Sequence, residues 1–416
     1  MIISRFRNVL KGKKPFDFLV YLIWASSILL DYFRAVLLRI APASTADLII
    51  TLLFVFLTIL SIKTIIKRIK RSDCALYLIP AIFFGMSILL VSNNEYLSKY
   101  ADVFLLRCLP LIIVGIAIDF KTIKNELYII SIISIYAYLV YRFLFGGGMD
   151  LSNDWYQEEM VSAYNILPHL LLIILFLFEK PSVINITTAL IGSVLLFSLG
   201  SRGPAFALLL FIFAYLLFIK KWKKPIKSKL VIVFSVVFIL LLSKPILELL
   251  KYISEKNGMS VRIFTRLAEG SIFDSSGRDE LQDIVKDAIF KKPFVGYGFV
   301  YDRVLLSGTY THNIFLELFL TFGIPVGVLM LVFLTQLLLR AILYGSTNFD
   351  KGFVLVLICC GLIKLLFSGS FVDEPYFYLL LGFSISAIRS RRSKRQTILK
   401  TIQSQDCLRI DSFVDA

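Results

Sequence analysis

The chain has 416 residues, 58% of them hydrophobic, a formal net charge of +16 and a mean hydropathy of +0.81. A soluble domain is about 45–50% apolar; here the excess lies in runs long enough to cross a bilayer as helices, which excludes a soluble enzyme with one anchor. The positive charge sits in short clusters between those runs, a pattern of membrane topology that speaks against a nucleic-acid-binding surface.

In chain order the apolar runs predict about twelve spans by run length. They fall at 17–39, 46–63, 74–91, 103–118, 126–146, 161–178, 183–200, 203–219, 230–250, 324–343, 352–370 and 374–389. Met1 to Lys14 is basic and enters the first run with no small-residue cleavage site, so an uncleaved first helix is expected. A short apolar piece, Ile314 to Phe322, precedes Gly323-Ile324-Pro325 and is either re-entrant or the start of the tenth span. The expected fold class is an all-α polytopic membrane protein with one integral domain over 1–416. A polar tail follows, over 390–416.

Lysine and arginine set the orientation. Arg5, Arg7, Lys11, Lys13 and Lys14 come first, then Lys63, Lys67, Arg68, Lys70 and Arg71, then Lys121 and Lys124. The pattern returns at Lys220 to Lys229 and at Arg389 to Arg395, while Gly146–Met160 holds neither lysine nor arginine. Both termini are therefore predicted to be cytoplasmic. The long polar segment 251–312 and the turn Gly200-Ser201-Arg202-Gly203 then lie on the outer side. With about 60 residues of mixed charge, that segment makes a marginal core and is expected to fold onto the membrane face.

Ionisable groups inside spans are expensive and usually functional. Asp31, Arg107, Arg142, Lys244 and Lys364 fall in the outer halves of their spans, and His169 follows Pro168 in the sixth. Singly, each suits snorkelling to the interface; as a group, the cations suit an anionic ligand. Cys74, Cys108, Cys359, Cys360 and Cys407 show neither a disulfide framework nor zinc spacing and read as packing residues.

The outer segment predicts a helix. Ser275 or Ser276 caps it, Asp279 and Glu280 suit its positive end, and Leu281, Ile284, Val285, Ala288 and Ile289 form its apolar stripe. Arg278 sits in the first turn, where the helix dipole opposes a cation; it is either an anion ligand or a surface arginine paired with Asp274 or Asp283. Gly296-Tyr297-Gly298 reads as a flexible turn. It leads to Tyr310-Thr311-His312-Asn313, where the chain re-enters the membrane. An imidazole there either serves as a base near neutral pH or holds a loop carbonyl.

Three motifs now stand in order. They are Ser201-Arg202-Gly203; Gly277-Arg278 with its helix and Pro293-Phe294-Val295-Gly296-Tyr297-Gly298; and Thr311-His312-Asn313-Ile314-Phe315-Leu316-Glu317 before Gly323-Ile324-Pro325-Val326-Gly327. Over residues 185–345 this order resembles the O-antigen ligase / O-antigen polymerase family of bacterial envelope glycosyltransferases. The resemblance implies a bundle of the C-type glycosyltransferase kind in the bacterial inner membrane. It implies a site on the outer face and chemistry without metal or cofactor. The donor would be a glycan on undecaprenyl diphosphate, the acceptor a hydroxyl, and the outcome inversion. Arg202 and Arg278 would hold the diphosphate and His312 would act as base, with Arg107, Arg142, Asn313 and Tyr310 as further substrate ligands. Tyr297 and Tyr301 either stack on sugars or anchor at the interface.

The motifs resemble polymerase members most, with another lipid-linked repeat unit as acceptor and a chain-length regulator as expected partner. Ligation to lipid A–core is the alternative. A lipid-linked oligosaccharide flippase stands behind both, because transporters tend to repeat their halves and no repeat is visible in this chain.

Overall fold

The computed structural model describes residues 14–37, 44–90, 95–145, 153–199, 201–221, 252, 278–345 and 347–390. All regular structure among them is helical. The helices are α1 (Pro15–Leu37), α2 (Ser44–Arg68), α3 (Ala75–Leu90), α4 (Glu95–Ala117), α5 (Phe120–Phe145), α6 (Asn153–Glu179), α7 (Val183–Ser198) and α8 (Arg202–Ile219). After them come α9 (Arg278–Lys291), α10 (Tyr301–Leu305), α11 (Ile314–Phe322) and α12 (Ile324–Tyr344). Helix α13 starts at Asn348, passes through a π-helical turn at Ile358–Ile363 and ends with Lys364–Phe367. Residues 375–390 form α14.

Among the described residues, 6 helices are long and apolar enough to cross a membrane. The chain is a polytopic membrane protein. Each expected span coincides with a helical segment except 230–250, which lies outside the described residues together with Lys244, Ser275, Ser276 and the tail beyond 390.

Burial follows composition. Helix α6 is apolar on every side over Leu170–Leu175 and is buried at the centre of the bundle, as an all-round hydrophobic helix must be. Helices α2 and α12 instead expose rows such as Leu52, Phe56 and Ile59, and Leu329 and Phe333, surfaces suited to acyl chains. Where α4 crosses α14 the backbones touch: a Cβ on Gly115 would lie 2.8 Å from Phe383 N, and one on Gly382 would collide with the Ile112 carbonyl. Small residues allow such an approach between membrane helices. The π-helical turn Val103–Cys108 in α4 closes with Leu109 N–H donating to Phe104 O at 2.9 Å, one residue before Pro110, whose missing N–H breaks the ordinary ladder.

The basic clusters gather at one end of this bundle. Arg389 pairs with Asp73 at 2.5 and 2.6 Å, and Arg68 donates to Ala117 O at 2.9 Å. Lys124 stands over Phe349 and Lys220 over Phe178. Charges far apart in sequence thus share one face of the bundle.

At the opposite end α9 packs Val285, Ala288 and Ile289 against Leu306 and Leu320, while Ile284 of the expected stripe stays exposed. Helix α11 is a separate helix of 9 residues, turned off α12 at Gly323 with φ 79°. It is too short to cross a bilayer, so it is not the start of the tenth span. The segment 293–298, expected as a flexible turn, is pinned. Tyr297 N–H donates to Leu320 O at 2.8 Å and Gly298 N–H to Thr321 O at 3.0 Å, satisfying carbonyls that the end of α11 leaves without helical partners. A Cβ on Gly296 would come within 2.6 Å of Gly323 N. These two glycines are close-contact residues and not hinges.

Candidate active site

The site assembles at the end of the bundle opposite the basic clusters. Helix α8 begins at Ser201-Arg202-Gly203, with Ser201 as N-cap residue. Gly203 is buried, and any Cβ there would strike the Tyr164 hydroxyl from α6 and sit 3.6 Å from Phe367 Cβ. The Arg202 turn is thereby held against the end of α13. Gly203→Ala is expected to cost about 1–3 kcal/mol through overpacking. A second change, Tyr164→Phe, should return part of it, and membrane abundance with thermal melting of the two variants checks both expectations.

Phe367 also receives Arg278. The guanidinium of this first residue of α9 donates to the Phe367 carbonyl, one of the orphan acceptors at a helix end. The local cost of a cation at the start of α9 is offset by this contact with the end of α13. Arg278 is half-buried, and among the described residues its bond to the Phe367 carbonyl leaves most of its donors uncommitted. One turn back along α13, Lys364 pairs with Glu374 at 2.5 Å and stands 5.2 Å from the centre of the Tyr164 ring. Arg278, Glu374 and Tyr310 all lie within electrostatic reach of the Tyr164 hydroxyl.

His312 completes the group. Its ring centre is 4.0 Å from that of Tyr310, and its backbone takes φ 56°, a left-handed conformation uncommon for a residue with a side chain. Asn313 then starts α11: its Oδ1 accepts from Phe315 N at 3.0 Å and from Leu316 N at 3.4 Å. That oxygen serves the helix, so a substrate contact by Asn313 falls to its amide nitrogen. Asn313→Ala should cost about 1 kcal/mol as a lost N-cap, read as a lower melting temperature. Among the described residues, Nδ1 of His312 is buried without a hydrogen-bond partner. Burial, then the charges of Arg278 and Arg303, push the imidazole down to about 4 from its usual 6.5. At neutral pH it is an uncharged acceptor.

Other expected residues are placed differently. Arg107 lies half-buried in the π-helical turn of α4, beside Cys108, which is within reach of Asp373 and Glu374. Arg142 lies half-buried in the last turn of α5. His169, which follows Pro168 in α6, is fully buried in the bundle, its Nδ1 3.3 Å from Ser131 Oγ and its ring edge-on to Trp24. Burial in an apolar core removes it from any ligand cavity. Tyr297 and Tyr301 stack on each other at 4.4 Å, with Lys292 over Tyr297, so these ring faces are taken within the protein.

The structure adds residues outside the motifs, Tyr164, Glu374, Asp302 and Arg303, and buries the last two in a group with Glu317, the final residue of the third motif, which carried no role in the sequence reading. Arg303 Nη1 lies 2.7 and 2.8 Å from the Asp302 carboxylate and 3.3 Å from Glu317 Oε1. One signal could have found it. Glu317 is a carboxylate inside the apolar run Ile314–Phe322, and such a residue demands a partner.

Residues 187–331, the stretch that holds Arg202, Arg278 and His312, match the sequence family described as O-antigen ligase. Over this stretch the chain is similar to that family. It is also 26% identical over 340 residues to the ComP-specific O-oligosaccharyltransferase of Acinetobacter baylyi, across 77% of this chain and 58% of that protein. The chain thus spans under two thirds of that relative's length. Lys364 and Glu374 lie C-terminal to the family match, as Tyr164 lies N-terminal to it, so the candidate site draws on residues both inside and outside the matched region.

Proposed function

We propose that this protein is a glycosyltransferase that moves a glycan from a lipid-linked diphosphate to an acceptor hydroxyl at the end of the bundle bearing His312. The single observation that carries the reading is the meeting of Arg278, Lys364 and an uncharged His312 around Tyr164 and Tyr310. Cations fixed beside a neutral base suit a reaction in which negative charge grows on a diphosphate while a hydroxyl loses its proton.

The step balances as a direct displacement. The acceptor oxygen attacks the anomeric carbon and forms the new glycosidic bond. The bond from that carbon to the diphosphate oxygen breaks, and its electron pair leaves with the lipid diphosphate. The hydroxyl proton passes to the His312 imidazole. Arg278, with donors left over from Phe367, takes the departing phosphate charge; Lys364, one turn back from Phe367, and Arg202, at the start of α8, would be further cations for it. Forked guanidinium donors suit phosphate oxygens. Attack from the face opposite the leaving group inverts the anomeric centre. A diphosphate beside Arg278 also offsets part of the field that holds His312 uncharged, so its basicity rises when the donor is bound. The site faces outward and both termini face the cytoplasm in this reading, since the basic clusters share the other end.

Two acceptors remain in play. The sequence motifs favour a polymerase, which extends another lipid-linked repeat. The family's description is ligase and the Acinetobacter relative is by name a transferase to ComP, so ligation to a different acceptor has at least equal support. A gel of surface glycans from a deletion strain separates them. Loss of the long ladder with a single repeat kept on its acceptor means polymerase. Loss of all transferred glycan, with lipid-linked polymer accumulating, means ligase. Unchanged glycans in the deletion overturn the transferase reading.

A further inference from the structure

Behind the His312 turn lies a sealed charge cluster that takes no direct part in the displacement. Arg303 is fully buried, and Asp302 and Glu317 are almost so, at 2% and 3% exposed. Such a group is strongly destabilising if one partner is lost, and on stability grounds alone an apolar cluster of the same volume would often serve as well. Its connections show what it joins. Asp302 Oδ2 accepts from Thr311 N at 3.2 Å and from Thr311 Oγ1 at 3.3 Å. Glu317 accepts from Ser370 Oγ and, at 3.2 Å, from Phe371 N. The guanidinium lies between the Tyr100 ring at 4.9 Å and the Tyr310 ring at 5.4 Å, and Tyr310 is the ring that packs on His312.

We propose that Arg303 is a positioning residue for transfer: through Asp302, Glu317 and Tyr310 it locks the Thr311–His312 turn to the 368–374 loop and so fixes where His312 stands. This rests on the reading of His312 as the base. Three features carry it. The residue preceding His312 is held at both its backbone N–H and its side chain by Asp302. Ser370 and Phe371 in the loop after α13 are held by Glu317, four positions after Asn313, and that same loop carries Glu374, the partner of Lys364 on α13. His312 itself occupies a left-handed backbone conformation, which persists only where its surroundings over-determine it. Nε and Nη2 of Arg303 are buried without hydrogen-bond partners, and the residue has no exposed surface through which a substrate could reach them. It therefore acts through its neighbours.

The charged and titratable groups around His312 are Arg278 from α9, Arg303 from α10 and Tyr310 from its own turn. Behind them are Asp302 and Glu317, with Tyr164 from α6 and Lys364, Asp373 and Glu374 from α13 and its following loop. Both arginines act on the imidazole in the same direction, against its protonation. Loss of the Arg303 charge and water admitted by a packing defect would both raise the His312 titration, so a role in position is separated from mere packing by Arg303→Lys, in which an unshifted titration with a lowered kcat marks lost orientation.

The chain holds only 2 histidines, so labelled-histidine NMR of the full-length protein in nanodiscs reads His312 directly, with His312→Ala as assignment control and buried His169 as internal reference. Arg303→Met should move the His312 titration upward and lower kcat about a hundredfold, the scale of a misplacement near 1 Å, with little change in KM for a polyprenyl-diphosphate-linked glycan. Arg303→Lys keeps the charge but loses the fork. It should leave the titration near its original place and still lower kcat about tenfold or more, the effect of losing orientation alone. Should Arg303→Met not accumulate in the membrane, Arg303→Lys decides alone. Either variant folded and with kcat within about twofold of the parent would overturn the proposal, given the steep dependence of rate on geometry. His312→Ala in the same assay separates the two failures. If it transfers normally, the base reading falls and the Arg303 role falls with it. If it is inactive while an Arg303 variant is not, only the Arg303 role falls.

Discussion

His312→Ala is expected to abolish glycan transfer, by about 10²–10⁴-fold for loss of a positioned base, while the protein still reaches the membrane. Alanine inherits the left-handed backbone but packs less well on Tyr310, so a small loss of melting temperature should accompany the loss of activity. The measurement is the surface-glycan gel combined with an immunoblot of membranes; normal glycan at normal protein level would remove His312 from the mechanism. A pH profile tests the same residue in the native protein. The imidazole of the free protein lies near 4 because burial and two arginines oppose its charge. Activity as kcat/KM should therefore hold steady as pH falls through the ordinary histidine range and fail only well below it. The bound diphosphate offsets Arg278, so the acid limb of kcat should lie at higher pH than that of kcat/KM. Stability carries the same sign. The unfolded chain binds a proton at His312 below its usual 6.5 while the folded chain does not, so this site weakens folding as pH falls from there toward 4. An acid limb of kcat/KM at the ordinary histidine value would contradict the cationic surroundings.

How far the sequence revealed this site depends on the distance over which each residue finds its partners. The spans were legible because a run of apolar residues is a local property, and so were the basic clusters that share one end of the bundle. The short patterns around Arg202, Arg278 and His312 stand at the entrances of helices in the structure as in the sequence, because there local sequence and local geometry coincide. The burial of His169 was not legible, because position along a span does not say which side of the helix faces the core. Gly296 and Gly298 read as freedom, yet Gly296 is the close contact of two chain segments brought together by the end of α11. Arg303 looked like an ordinary polar residue of the outer segment. Its meaning comes from Glu317, 14 residues on, and from Ser370, which reaches Glu317 across 53 residues. Pairing of that kind is set by packing and leaves no period in the sequence.

Arg278→Gln should be nearly as damaging as loss of the histidine, for a different reason. The side chain is tied to the Phe367 carbonyl at one nitrogen and otherwise faces the site half-exposed. A donor held in advance where charge will develop needs no reorganisation during the reaction, and removing one such donor costs about 10²–10³ in rate. Glutamine can still reach toward Phe367 as a neutral donor, so the end of α13 should stay in place and membrane levels should stay near normal. Lysine restores the charge without the fork, and its single ammonium cannot serve the carbonyl and a phosphate in one plane. Arg278→Lys is thus expected to recover only a minor part of the lost rate. The two substitutions differ on His312 as well. Glutamine removes a positive charge beside the imidazole and should raise its titration point and the acid limb of kcat/KM, whereas lysine should leave both nearly unchanged. Transfer measured across pH for the pair therefore separates charge from geometry: equal defects with different acid limbs assign Arg278 to phosphate orientation, and a full recovery by lysine assigns it to charge alone. Wild-type transfer by Arg278→Gln would take the arginine out of the site and leave its contact with Phe367 as a purely structural one.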